Sequence, residues 1–178
     1  MEIQEIIISD NAFNHSDPRQ VILSNISVIN LLREEGVDEE LLFEDGLISY
    51  LVDYYFSQVS EGGFSQFVWN SKWSEDINEM IVEGLTQLQA VEHLAYFEKQ
   101  QRRMKALSAI KKKKFFELPF SDKNPIKTTI DDNSFTAIAE DLIQLHSDWI
   151  KNHPQLTVLP IADMFEKLET IVGHSISR

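Results

Sequence analysis

The 178-residue chain contains no cysteine. That excludes a disulfide framework, a zinc–thiolate site and a thiol nucleophile. No apolar run approaches the ~20 residues of a membrane-spanning helix. Six glycines and five prolines leave little room for long disordered linkers. The first residues, MEIQEIII, are acidic and lack the positive start of a secretory signal, so the expected location is the cytoplasm. Basic residues are scarce where acids are dense. Residues 1–98 hold only Arg19, Arg33 and Lys72 against 19 acids, a balance of −16.

Familiar catalytic and metal-binding patterns are missing too. The histidines are His15, His93, His146, His153 and His174. None forms an HExxH pair, and none lies three residues from a glutamate as bundle metal sites require. His93 follows Glu92 directly, which points the two side chains apart on a helix. Glu61-Gly62-Gly63 lacks the further elements of a phosphate-binding loop. Tyr50, Asp53 and Tyr54 could form a polar cluster, but buried tyrosines usually just satisfy their hydroxyls. The sequence therefore predicts no enzyme, no cofactor and no metal.

What is present is charge of one sign. There are 29 acids against 16 bases, a net charge of −13, and the pI is near 4.7. The exception is residues 99–127, which balance at +8; residues 128–178 return to −5. Such an excess costs compact-state stability by self-repulsion. It disfavours direct contact with nucleic acid or anionic membrane and favours basic partners.

A hydrophobic content of 43% and this length fit one domain, residues 1–178, with a real core. The most aromatic stretch is Tyr50 to Asn70, YLVDYYFSQVSEGGFSQFVWN. Tyr50, Leu51, Tyr54 and Phe56 are too many large groups for one narrow stripe, so much of this helix should be buried. Gly62-Gly63 stops it, since glycine accepts the left-handed conformation of a helix end. Phe64, Phe67, Val68 and Trp69 restart a helical spacing.

Elsewhere the pattern is helical. Asp17-Pro18 opens a helix that runs to Gly36. Ser74 caps the helix through Ile77, Ile81, Leu85 and Leu88, and another runs from about Val91 past Leu107. Residues 109–133 read as the least regular part. Asp132 or Asn133 should cap a helix through Phe135, Ile138, Leu142, Leu145 and Trp149. Pro160 opens the last helix, which Gly173 ends. Ile3 and Ile6 to Ile8 fit either a short strand or a helical turn, and Leu156 to Leu159 a short extended link. The expected fold class is all-α, a compact bundle of about seven helices.

The acids are the leading functional candidates. Glu34, Glu35, Asp38, Glu39, Glu40, Glu44 and Asp45 crowd one loop and helix start with no base among them. Glu75, Glu79 and Glu83 stand at i, i+4, i+8, and Asp76 adds a neighbour to Glu79. Like charges at that spacing cost ~0.2–0.5 kcal/mol per pair, so selection for stability alone would place Lys or Arg there. Their separation of ~5–6 Å is comparable to phosphate spacing along a DNA strand. Rows of carboxylates can thus present a phosphate-like array to a protein built to grip DNA, whose duplex charge averages one per ~1.7 Å of axis. The plainer reading is a solvated acidic face. Lys111 to Lys114 beside Phe115 and Phe116 could suggest nucleic-acid binding. The acidity of the whole chain favours instead the C-terminal charge of a helix, or a counterweight to the acidic half.

Tyr50…Tyr54-Tyr55, GGFSQF from Gly62 to Phe67, and Trp69-Asn70 resemble the signature of a bacterial family of small all-helical proteins that includes a DNA mimic. The likeness extends to NHSDP (Asn14 to Pro18), Ser24-Asn25, Val28 to Leu32, Val52 to Tyr55 and Phe64 to Asn70. It includes Trp73-Ser74, Glu83 to Leu85, Glu92 to Leu94, Lys151 to Pro154 and Val172-Gly173. It is weakest over 109–133, and the usual signature has Asn where this chain has Glu61.

The resemblance implies a function. The protein would occupy the DNA-binding surface of a helix-turn-helix transcriptional repressor and so derepress its operator genes. Helix-turn-helix dimers offer Lys, Arg and helix N-termini to phosphates, and the acids named above would be the partner-binding residues. A different class is an acidic protein-interaction or immunity-type module without mimicry. An enzyme using Tyr and Asp near the Gly-Gly turn would instead need a deep polar pocket. The sequence leaves the oligomeric state open.

Overall fold

Two short apolar runs, 150 residues apart, pair as strands. In the computed structural model, which describes residues 3–121 and 123–176, β1 (Ile6–Ser9) and β2 (Leu156–Leu159) form a parallel two-stranded sheet. Ile6 faces Leu156 and Ser9 faces Leu159. All four β1 residues are buried. Its side chains alternate as a strand requires. Ile7 joins one apolar cluster with Val28, Ile29, Leu32 and Leu168, while Ile6 and Ile8 join another with Val21, Ile22 and Ile150.

The rest is helix. The helices are α1 (Asp10–Phe13), α2 (Arg19–Glu34), α3 (Glu44–Gly62), α4 (Phe64–Ser71), α5 (Glu75–Gln87), α6 (Val91–Ala106), α7 (Ala109–Glu117), α8 (Lys127–Ile130), α9 (Leu142–Lys151) and α10 (Ile161–Val172). Short 3-10 turns lie at Glu39–Leu41 and Phe135–Ala137. The all-α class holds, but ten α-helices among the described residues exceed the seven expected. Two of them have only four residues, and α7 lies in the stretch that composition marked as irregular. Ser108 caps α7 by accepting the Lys111 N–H, a signal masked by the lysine run beside it. No helix is long and apolar enough to cross a membrane.

The chain divides into two compact units. Unit 1 is Met1–Tyr50 with Asp141–Arg178, and unit 2 is Leu51–Glu140. In unit 1, Asp17 accepts the Arg19 N–H at 3.0 Å at the start of α2, and Gly173 ends α10 at φ +81°. Asp141, not Asp132 or Asn133, caps α9 through the Gln144 N–H. The helix begins only at Leu142, after the 3-10 turn Phe135–Ala137; Asp132 accepts the Ser134 N–H at 3.0 Å ahead of that turn and pairs with Arg103 and Lys99 at 2.6 and 3.0 Å. Unit 1 also buries a polar chain. Asn25 Nδ2 donates to Ser49 Oγ and to the Gly46 carbonyl, both at 3.1 Å, and Ser49 Oγ lies 2.7 Å from His146 Nε2. Burial, helped by the charge of Arg19, pushes the His146 pKa down to about 3.

Unit 2 is built on aromatic rings. Tyr55, Phe64, Phe67 and Phe97 are all fully buried. Tyr55 meets Phe97 edge-on at 5.2 Å and Phe67 at 6.0 Å. In α3 the buried apolar side chains are Ile48, Val52, Tyr55 and Val59, one narrow helical stripe. Tyr50, Leu51, Tyr54 and Phe56 flank it and are only half-buried. The ring count suggested a broader buried face than the helix has.

Candidate functional site

Unit 1 carries the acids of residues 34–45. Glu34 and Glu35 end α2, Asp38 to Glu40 lead into and form a 3-10 turn, and Glu44 and Asp45 open α3. Glu44 and Asp45 sit where negative charge complements the helix dipole. The local sequence shows no base among the seven, but the fold supplies three partners. Arg33 pairs with Glu39 at 2.5 Å while lying 4.6 Å over the Tyr50 ring. His153 Nε2 lies 3.0 Å from Asp45, its ring edge-on to Trp149. His174 Nε2 lies 2.7 Å from Glu35, and that hydrogen bond raises the His174 pKa. Both histidines are more than 100 residues away in sequence, beyond any local pattern. Glu34, Asp38, Glu40 and Glu44 remain exposed, with no ion pair among the described residues.

Unit 2 carries the second set, on α5. Ser74 Oγ accepts the Ile77 N–H at 3.5 Å and caps the helix as expected. Glu75, Asp76, Glu79 and Glu83 are all exposed. At about 100° per residue they span roughly 100° of the helix, opposite the buried Asn78, Ile81, Gly84 and Leu85. Successive members of the i, i+4, i+8 row are about 6 Å apart along the axis. Among the described residues none of the four has an ion pair, and only Glu83 has a hydrogen bond, from Gln87 Nε2 at 3.1 Å. The nearest base before the row, Lys72, turns onto Trp69 at 4.7 Å from the ring centroid. The row is therefore uncompensated within unit 2.

The lysine run extends from the first turn of α7 to the beginning of its last. Lys111, Lys113 and Lys114 are exposed, and Lys113 reaches Glu117 at 3.6 Å. Of the run only Lys114 is in the last turn, so dipole compensation accounts for one lysine of the four.

The Gly62-Gly63 turn ends α3 and starts α4, as its composition suggests. The reason for Gly63 is more specific. Its φ is +80°, and an added Cβ would stand 2.6 Å from Asp131 Oδ1. That carboxylate accepts the Ser65 N–H and the Ser65 hydroxyl, both at 2.7 Å. Asp131 thus caps α4 from 66 residues away, a role with no local signal. A second carboxylate from the same segment caps α6: the His93 N–H donates to Glu140 at 3.1 Å, and the Ala139 N–H donates back to Glu92 at 3.0 Å. No group of His, Asp or Glu among the described residues is arranged to hold a metal ion.

Compared with known proteins, residues 40–153 match the family model described as DMP19-like protein. The match takes in all of unit 2 and stops short of Glu34 to Glu39. No curated protein and no solved structure matches the chain.

Proposed function

The chain belongs to the DMP19-like protein family, a DNA-mimic family, and from that premise we propose that it occupies the DNA-binding surface of a helix-turn-helix transcription factor and keeps it off its operator. It acts by occupancy, not by catalysis. The observation that carries this reading is the α5 row: Glu75, Asp76, Glu79 and Glu83, exposed and without an ion pair among the described residues. Glu75 and Asp76 complement the dipole at the helix start, but Glu79 and Glu83 bring only like-charge repulsion along the row. Against Lys and Arg arranged for phosphates, the row steers encounter and supplies complementary charge. Of the unit 1 acids, Glu34, Asp38, Glu40 and Glu44 are the further candidates, because Glu35, Glu39 and Asp45 are already paired.

Replacing Glu75, Glu79 and Glu83 together with Gln tests the row. The variant should melt close to the wild-type temperature, since relief of like-charge pairs at ~0.2–0.5 kcal/mol each offsets the lost dipole interaction of Glu75 at ~0.3–1 kcal/mol. Its affinity for the repressor recovered from native lysate should fall by about tenfold or more, equivalent to ~1.4 kcal/mol. Added salt should weaken the wild-type complex more than the variant's, because the Debye length is only ~8 Å at physiological ionic strength. Equal affinity and equal salt slope in the folded variant remove α5 from the mechanism.

The same charge predicts that the protein alone does not shift duplex DNA at micromolar concentration and physiological salt. A shift that disappears on changing Lys111–Lys114 to Gln would reassign the function to α7.

A further inference from the structure

We propose that unit 2 contains a binding site for an organic cation, a guanidinium or ammonium group, in the cavity beside the Gly62-Gly63 turn. The cavity has a volume of about 720 Å³, within the ~300–1,000 Å³ usual for small-molecule sites. Its apolar walls include the rings of Phe56, Tyr96 and Phe135. Ring faces carry negative potential and attract cations within ~6 Å.

Charge in the lining points the same way. Asp131, Asp132 and Glu140 face one ammonium, Lys127, which stands 4.9 Å over the Phe120 ring. Asp132 is paired with Arg103 and Lys99; burial alone would raise its pKa, but the Ser134 hydroxyl and amide and Lys99 hold it down at about 2. Asp131 and Glu140 have only neutral hydrogen-bond donors, the Ser65 amide and hydroxyl and the His93 amide. With Asp132 already paired, Asp131 and Glu140 still outnumber Lys127 in the lining, an excess that favours a positive ligand over an anion.

The independent observation is His93. It is 2% exposed and lines the cavity. Its Nδ1 lies 3.4 Å from the Tyr55 hydroxyl, and its Nε2 has no hydrogen bond among the described residues. Burial lowers its pKa despite the nearby Glu140 and Glu92, so the ring is a neutral one. In the tautomer whose Nδ1–H donates to Tyr55, Nε2 is a bare acceptor for an N–H of the ligand, and a bound cation selects that tautomer. Glu140 Oε1 is the second unused acceptor, since only Oε2 takes the His93 amide. A planar guanidinium satisfies both requirements: it stacks on aromatic rings and donates from a fixed fork of N–H groups.

The cation has two sources, a free small molecule or a basic side chain of a protein partner. Butylguanidinium and butylurea are the probes, because they share shape and differ in charge. The readout is the His93 ring resonances, assigned by their loss in His93→Gln. Millimolar butylguanidinium should shift them, butylurea should do so at least tenfold more weakly, and Glu140→Gln should weaken butylguanidinium by a similar factor. Glu140→Gln keeps an acceptor for the His93 amide, so the fold should survive; a wild-type melting temperature checks this. If butylguanidinium also displaces the repressor from the wild-type protein, the natural cation is a partner side chain; if it binds without displacing it, the natural cation is a free small molecule. Unshifted His93 resonances, equal binding of butylurea, or undiminished binding to folded Glu140→Gln overturns the proposal.

Discussion

Phe64→Ala should lower stability by ~3–5 kcal/mol, the usual cost of deleting a buried aromatic. That is a large share of the ~5–15 kcal/mol that holds a domain folded. Phe64 is 1% exposed at the start of α4. Its ring lies 5.5 Å from Phe67, 5.8 Å from both Trp73 and Phe97, and 6.0 Å from Tyr96. None of these neighbours can fill the space without leaving its own, because packed interiors relax only partly around a cavity. The melting temperature should drop by roughly 6–20 °C for a chain of this size. By contrast, single Gln replacements on the exposed row of α5 should stay within about 0.5 kcal/mol. If Phe64→Ala melted as wild type yet lost partner binding, the residue would belong to a site rather than to the core.

Acid should weaken the fold through His146. Its pKa is near 3 in the folded protein and near 6.5 when the chain is unfolded. The unfolded chain therefore takes up a proton between those values that the folded chain refuses. Stability from this group is intact above about pH 6.5 and is lost as pH falls toward 3. At ~1.4 kcal/mol per pH unit the loss is about 3 kcal/mol by pH 4.5 and about 4–5 kcal/mol by pH 3. Urea unfolding at pH 7 and 4.5 measures it. His146→Phe should be less stable than wild type at pH 7, since Ser49 loses its partner at 2.7 Å. Its further loss on going to pH 4.5 should be smaller by about 3 kcal/mol. Equal losses in the two proteins would show that His146 charges freely in the fold.

Local chemistry made part of this legible. Ser74 precedes an acid-rich first turn, so both the cap and the exposed row of α5 follow from residues within two turns. The Gly62-Gly63 break and the Gly173 stop are legible for the same reason. What was hidden depends on distant partners. β1 and β2 are four-residue apolar runs, too short for periodicity to separate strand from helix, and their pairing joins Ile6 to Leu156. The carboxylates of Asp131 and Glu140 cap helices 66 and 47 residues away. Asp132 accepts the Ser134 N–H ahead of the short 3-10 turn rather than capping α9, and also anchors Arg103 and Lys99. The acids of residues 34–45 looked uniformly unpaired because two of their hydrogen-bond partners, His153 and His174, arrive from the far end of the chain. Thus the α5 row was visible in sequence, the unpaired subset of unit 1 was not, and the aromatic cavity had no local signature beyond its two glycines.

Operator competition tests DNA mimicry most directly. The helix-turn-helix repressor recovered from native lysate is bound to its labelled operator, and this protein is titrated in at fixed physiological salt. Wild type should release the operator stoichiometrically at saturation. The Glu75, Glu79 and Glu83→Gln variant should need about tenfold more protein or greater. If saturating wild-type protein binds the repressor yet leaves the operator bound, the contact lies away from the DNA-binding surface and the mimicry account is wrong.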